Sequence, residues 1–95
     1  MGYRLVYSET SCNLIRKLHP ELKSIIRARL KEISDNPYSG KPLVKELSGY
    51  FSLRAKRYRI IYKIEEEGQE IQVHYIGHRR DIYQSIKEKM GWSGY

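Results

Sequence analysis

Cysteine, phenylalanine and tryptophan each occur once in these 95 residues, and proline only three times. The single cysteine, Cys12, has no partner for an internal disulfide and no Cys neighbour for a zinc cluster. Its place near a helix start suits a small buried hydrophobe. No apolar run approaches the ~20 residues of a membrane span, so no membrane partner is expected. The opening "MGYRLVYSE" lacks the long apolar region of a signal peptide, which points to the cytoplasm. No repeat, linker or low-complexity stretch divides the chain, and its length suits one domain over residues 1–95 with one modest core.

Positive charge and tyrosine are in excess. Lys and Arg number 18 against 11 Asp and Glu, a net charge of +7, and there are nine tyrosines. A basic surface suits a polyanionic partner. Tyrosine fits half-buried sheets, but it also stacks on bases and donates to phosphates.

Residues 3–7, "YRLVY", alternate and are rich in strand formers. Ser8 can cap the helix that follows, in which Leu14, Ile15 and Leu18 recur at helical spacing. His19-Pro20 ends it, and Pro20 suits the first turn of a second helix. There Leu22, Ile25, Ile26, Leu30 and Ile33 make one apolar stripe, with Lys23, Arg27 and Lys31 opposite. "SDNP" (34–37) stops this helix. "YSGKP" (38–42) reads as a loop and "LVKEL" (43–47) as a short extended piece. Residues 51–56, 57–64 and 71–77 alternate as three strands, with "EEEGQE" (65–70) as the turn between the last two. "DIYQSIKEKM" (81–90) predicts a short C-terminal helix, with Asp81 near its start. The expected fold class is α+β: an antiparallel sheet with an N-terminal helical hairpin on one face and a short C-terminal helix. The other face stays partly open.

Pairing 57–64 with 71–77 across a turn near Glu67–Gly68 makes partner numbers sum to about 135. Arg59 then lies near Ile76, and Arg57 near His78. Arg54, Lys56, Arg57, Arg59, His78, Arg79 and Arg80 are thereby expected at one end of the sheet, with the acidic turn at the other. Like charges so placed destabilise a fold unless an anion neutralises them.

These residue types suit metal-free cleavage of a phosphodiester by its own 2′-OH. That reaction needs a proton acceptor, a proton donor to the leaving 5′-oxygen, and cations on the phosphoryl oxygens. Arginine supplies a planar, permanently charged fork. As a histidine, His78 suits either proton transfer, and Tyr83 suits orientation or stacking. A site that uses the 2′-OH acts on RNA. A metal nuclease would want several carboxylates together, and Asp81 is the only acid in "GHRRDIY". No metal or other cofactor is expected. His19 and His74 read as a helix-end residue and a sheet residue.

The pattern "LxGYFSLRAKRYRIIYKI…IQVHYIGHRRDIY" resembles the RelE/ParE superfamily of toxins from bacterial and archaeal toxin–antitoxin pairs, over nearly the whole chain. The resemblance implies a microbial-ribonuclease-like fold and metal-independent cutting of mRNA in the ribosomal A site. It implies contact with rRNA, and a cognate RelB-like antitoxin through which alone operator DNA would be bound. It carries catalytic roles to Arg59, His78, Arg79 and Tyr83, and RNA binding to Arg54, Lys56, Arg57 and Arg80. Some members carry two lysines on the strand preceding Arg59; here Tyr50 and Ser52 hold those places. A glutamate that some relatives use after "GKP" has no clear match, Glu46 being nearest. The ParE branch, which inhibits DNA gyrase without cutting RNA, is the alternative.

Overall fold

The structure, a computed structural model, describes residues 2–78. Arg79, Arg80, Tyr83, Asp81 and the helix expected over 81–90 lie outside the described residues.

Strand β1 (Arg4–Tyr7) leads into helices α1 (Glu9–Arg16) and α2 (Pro20–Asp35). Ser8 caps α1, its Oγ accepting the Ser11 N–H at 3.1 Å. His19 caps α2, its Nδ1 accepting the Glu21 N–H at 3.2 Å, and Pro20 stands in the first turn, where a missing N–H costs nothing. Strands β2 (Lys41–Pro42), β3 (Phe51–Ala55), β4 (Tyr58–Glu65) and β5 (Glu70–His78) follow. They lie side by side with β1 in the order β1-β5-β4-β3-β2.

Four expectations need correction. The sheet is mixed, not antiparallel throughout, because β1 runs parallel to β5, with Arg4 opposite Glu70 and Tyr7 opposite Val73. Alternation within a strand carries no orientation when the partner lies more than 60 residues away and two helices intervene. Residues 41–42, expected in a loop, pair with β3, while "LVKEL" holds a 3₁₀ turn at Lys45–Leu47 instead of an extended piece. Cys12 is exposed, not buried.

The α2 stripe buries Ile26, Leu30 and Ile33 on the sheet face formed by Ala55, Ile60, Tyr62, Ile71, Val73 and Ile76. Each large apolar side chain buried there contributes about 1.5–3 kcal/mol. A smaller cluster, Leu47, Tyr50, Ile61 and Tyr75, forms on the opposite face, with Leu14 of α1 packed against it.

A β-bulge in β5 decides which face each site residue occupies. Near the turn, Glu65 pairs with Glu70 and Tyr62 with Val73, so the numbers sum to 135 as expected. The register then shifts, and Ile61 pairs with Tyr75, Ile60 with Ile76 and Arg59 with Gly77. His74 is the extra residue. A one-residue slip moves every later side chain to the other face. Here it returns Ile76 to the core and puts Gly77 across from Arg59. Residues of α1's cap secure the bulge. Ser8 Oγ donates to the His74 carbonyl at 3.0 Å, and Ser11 Oγ to the Val73 carbonyl at 2.9 Å.

Candidate active site

On the face away from α2, two rows of paired residues lie side by side. Lys41, Ser52, Ile61 and Tyr75 form one row. Arg54, Arg59 and Gly77 form the next, towards the end of the sheet. Their phase follows from alternation: Phe51, Leu53 and Ala55 meet the core, so Ser52 and Arg54 turn away from it.

Arg59 is half-buried and its Nη1 donates to Ser52 Oγ at 2.9 Å. Ser52 is almost fully buried, 2% exposed, so the guanidinium is held at a fixed point. Among the described residues Arg59 makes no ion pair; the pairs present are Arg4–Glu70, Arg29–Glu32 and Lys31–Asp35. Directly opposite stands another cation, Arg54, which is exposed. Two like charges in register destabilise the sheet by a few tenths of a kcal/mol or more and attract an anion. The acidic turn at Glu65–Glu67 is six or more residues from Arg59 along β4, on the order of 20 Å away, too far to neutralise them.

Lys56 and Arg57 form the two-residue turn between β3 and β4, where both were expected in strands. Lys56 has φ 58°, the left-handed region that favours glycine, and its carbonyl accepts from Arg54 Nε at 3.3 Å. A lysine held there at a cost of about 1–2 kcal/mol keeps a charged side chain where glycine would be easier.

Beside Arg59 a cleft of about 340 Å³ opens, lined by Ser52, Arg59, Lys41, Leu43 and Leu47 among others. A second groove of about 360 Å³ runs between α1 and α2, with Ile15, Ile26 and Leu30 inside and Arg16, Lys23 and Arg27 around it. Of the two, only the first contains groups that the sheet brings together from separate strands.

Gly77 leaves room for a neighbour. A methyl group there would meet Tyr75 Cε2 at 2.5 Å, so the Tyr75 ring lies along β5 over the glycine, the residue paired with Arg59. His78 closes β5 opposite Tyr58, with ring centroids 5.9 Å apart. It stands at the expected end of the sheet. It shares, however, the phase of Tyr58, which packs on the core, one step out of register with Arg59. The expected pairing of Arg57 with His78 gives way to Tyr58–His78 because of the bulge. His74, expected as a plain sheet residue, has its ring 5.3 Å from that of Tyr50, while Lys63 Nζ stands 5.0 Å from the centre of the same Tyr50 ring. Burial, and then the Lys63 charge, hold the His74 imidazole below its ordinary range.

The structure thus brings Arg54, Lys56, Arg57 and Arg59 to one end of the sheet and sets His78 at the same end in the opposite phase. Lys41 was missed. A two-residue edge strand has no alternation to detect, and its one signal is the short "GKP" spacing before β3.

A family model described as the ParE toxin of the type II toxin–antitoxin system parDE matches residues 12–83. Toxin RelG of Mycobacterium tuberculosis is 34% identical over 85 residues, covering 87% of this chain and 98% of that one. The crystal structure of the M. tuberculosis toxin–antitoxin complex RelBE2 contains a chain 30% identical to this one, with a TM-score of 0.75, covering 83% of this chain and all of that one. A mutant of Escherichia coli toxin RelE in the free state shares the fold at 20% identity, with a TM-score of 0.74 and coverage of 95% and 99%. The match of the ParE model to residues 12–83, most of this chain, and the identity with RelG over nearly all of RelG, show that the chain belongs to the RelE/ParE superfamily of type II toxin–antitoxin toxins.

Proposed function

We propose that this toxin is an endoribonuclease that arrests translation by cutting mRNA in the ribosomal A site. The observation that carries the reading is Arg59, unpaired with any described carboxylate and pinned on buried Ser52 in a cleft, with Arg54 across from it. A fixed guanidinium suits the phosphoryl oxygens of a transition state more than a ground state, because it need not reorganise as charge develops. Arg54, Lys56, Arg57 and Arg80 hold the backbone on either side of the scissile phosphate, and contact with rRNA extends that basic surface. His78, where β5 ends, and Arg79 and Tyr83, which follow it in the sequence, complete the catalytic set, with His78 transferring a proton and Tyr83 orienting or stacking on a base. No step requires a metal or cofactor. A RelB-like antitoxin, as in the solved toxin–antitoxin complexes of relatives, neutralises the toxin by covering this basic end, and reaches operator DNA through its own domain.

The ParE description of the matching family model favours a second reading, inhibition of DNA gyrase without cleavage. Primer extension on a translated message separates the two. New ends within codons, appearing only with ribosomes, support the ribonuclease. Gyrase–DNA adducts with an intact message support the ParE-like activity and refute the first reading.

A further inference from the structure

Arg59 stabilises charge but cannot supply the proton that the leaving 5′-oxygen needs, since a guanidinium does not release one in the accessible pH range. A different group must do so from the side of the phosphate opposite the attacking 2′-oxygen. The cleft beside Arg59 contains such a group. Lys41 lies on β2, paired with Ser52, the residue whose hydroxyl holds Arg59. Lys41, Ser52 and Arg59 line the same 340 Å³ space.

The backbone that carries Lys41 is fixed. The N–H of the preceding residue, Gly40, donates to Tyr62 Oη at 3.1 Å, and that hydroxyl donates to the Pro37 carbonyl at 2.7 Å. A methyl group on Gly40 would collide with the same oxygen and would lie 3.1 Å from the Ser52 carbonyl. After Pro42, the Leu43 N–H donates to the Tyr50 carbonyl at 2.9 Å. A lysine that only kept an edge strand from aggregating would not need so rigid a support.

We propose that Lys41 is a catalytic residue of this toxin, the general acid that protonates the leaving 5′-oxygen. The proposal rests on the ribonuclease reading. The geometry suits the role: Lys41 stands in the row next to that of Arg59, on the same face of the sheet and on the side of Arg59 away from β5. The 2′-oxygen forms its bond to phosphorus and gives its proton to a basic group, the role assigned above to His78 at the end of β5. The bond from phosphorus to the 5′-oxygen breaks as Lys41 Nζ transfers a proton to that oxygen. The products are a 2′,3′-cyclic phosphate and a 5′-hydroxyl end, and solvent restores both protonation states.

The test compares the wild type, Lys41→Met and Lys41→Arg on ribosome-bound message carrying either the natural linkage or a 5′-bridging phosphorothiolate at the cut site. The thiolate leaves without protonation. On the natural linkage, Lys41→Met should cut ~10²-fold or more slowly, and Lys41→Arg should not recover the rate, because it restores charge without a transferable proton. On the phosphorothiolate, Lys41→Met should come within a few fold of the wild type. Lys41 is exposed, so both variants should fold, which their melting temperatures check. A Lys41→Met protein that cuts the natural linkage within a few fold of the wild type overturns the proposal. So does one equally slow on both linkages, since that marks a binding or structural role. A wild type that leaves the natural message intact overturns the ribonuclease reading and this proposal with it.

Discussion

Replacing Tyr62 by phenylalanine removes one oxygen and tests how the site is supported. Tyr62 is fully buried on β4. Its hydroxyl donates to the Pro37 carbonyl and accepts from the Gly40 N–H, closing the segment between α2 and β2 onto the sheet. Phenylalanine keeps the ring, so no cavity term of consequence arises. What is lost is two hydrogen bonds of about 1 kcal/mol each, plus part of the cost of leaving a buried donor and acceptor unmet, for a total of about 2–3 kcal/mol. In a domain of this size that lowers the melting temperature by about 10–20 °C. Urea unfolding followed by circular dichroism measures it directly, with an unchanged m-value as the control.

The same hydroxyl blocks a side chain at Gly40. Gly40→Ala should therefore cost more in the wild type than in the Tyr62→Phe background, where the worst contact is gone, giving a coupling of about 1 kcal/mol or more. Burial pushes Tyr62 up to about 12 from an ordinary value near 10. Between those values the unfolded chain has released a proton that the folded chain retains, so stability is fully present below pH 10 and falls as pH rises from 10 to 12. The loss approaches about 3 kcal/mol and should be absent in Tyr62→Phe. A Tyr62→Phe protein within 0.5 kcal/mol of the wild type, with no coupling to Gly40, would refute the claim that this oxygen organises the segment carrying Lys41, on the roughly 1 kcal/mol scale of a single bond.

Further outcomes follow from the same geometry. Arg59→Ala or Arg79→Ala should relieve growth arrest on induction while a pull-down still recovers the antitoxin; full toxicity in both variants would remove the arginines from the site. His78→Ala should slow cleavage of a translated message ~10²-fold or more if the imidazole transfers a proton, and single-turnover rates decide, a change of a few fold marking a positioning role. The Glu66 carboxylate accepts hydroxyl hydrogen bonds from Tyr3, at 2.7 Å, and from Tyr38, tying the β4–β5 turn to both neighbouring segments. Those bonds hold Glu66 below the usual carboxylate range, the Tyr3 bond most. Its contribution is therefore present above pH 4.5 and lost as pH falls through its lowered value, and Glu66→Gln should flatten that acid limb in denaturation curves.

How far the site was legible depends on what sets each pairing. Arg54 and Arg59 come to the expected end of the sheet because a tight turn joins their strands, although their partners across the sheet differ from those counted. The helix boundaries at Ser8 and Pro20 were equally local, resting on one cap and one missing N–H. The parallel β1–β5 pairing and the β2 edge were not legible, since their partners lie far along the chain or the strand is too short to show alternation. The bulge at His74 is the instructive case. "IQVHYIG" looks like one uninterrupted strand, and counting from the turn matches Arg59 with Ile76. That match would put an isoleucine beside Arg59 on the face away from the core. Val73 and Ile76, three residues apart yet both in the core, are the sign that the alternation changes phase, because a regular strand puts residues three apart on opposite faces. The extra residue is stabilised from outside the strand, by the Ser8 and Ser11 hydroxyls on the carbonyls of His74 and Val73. A helix cap thus sets which face of the sheet the end of β5 presents. Loss of those two hydroxyls should disturb the alignment of Arg59 with Gly77 although neither serine comes near the cleft.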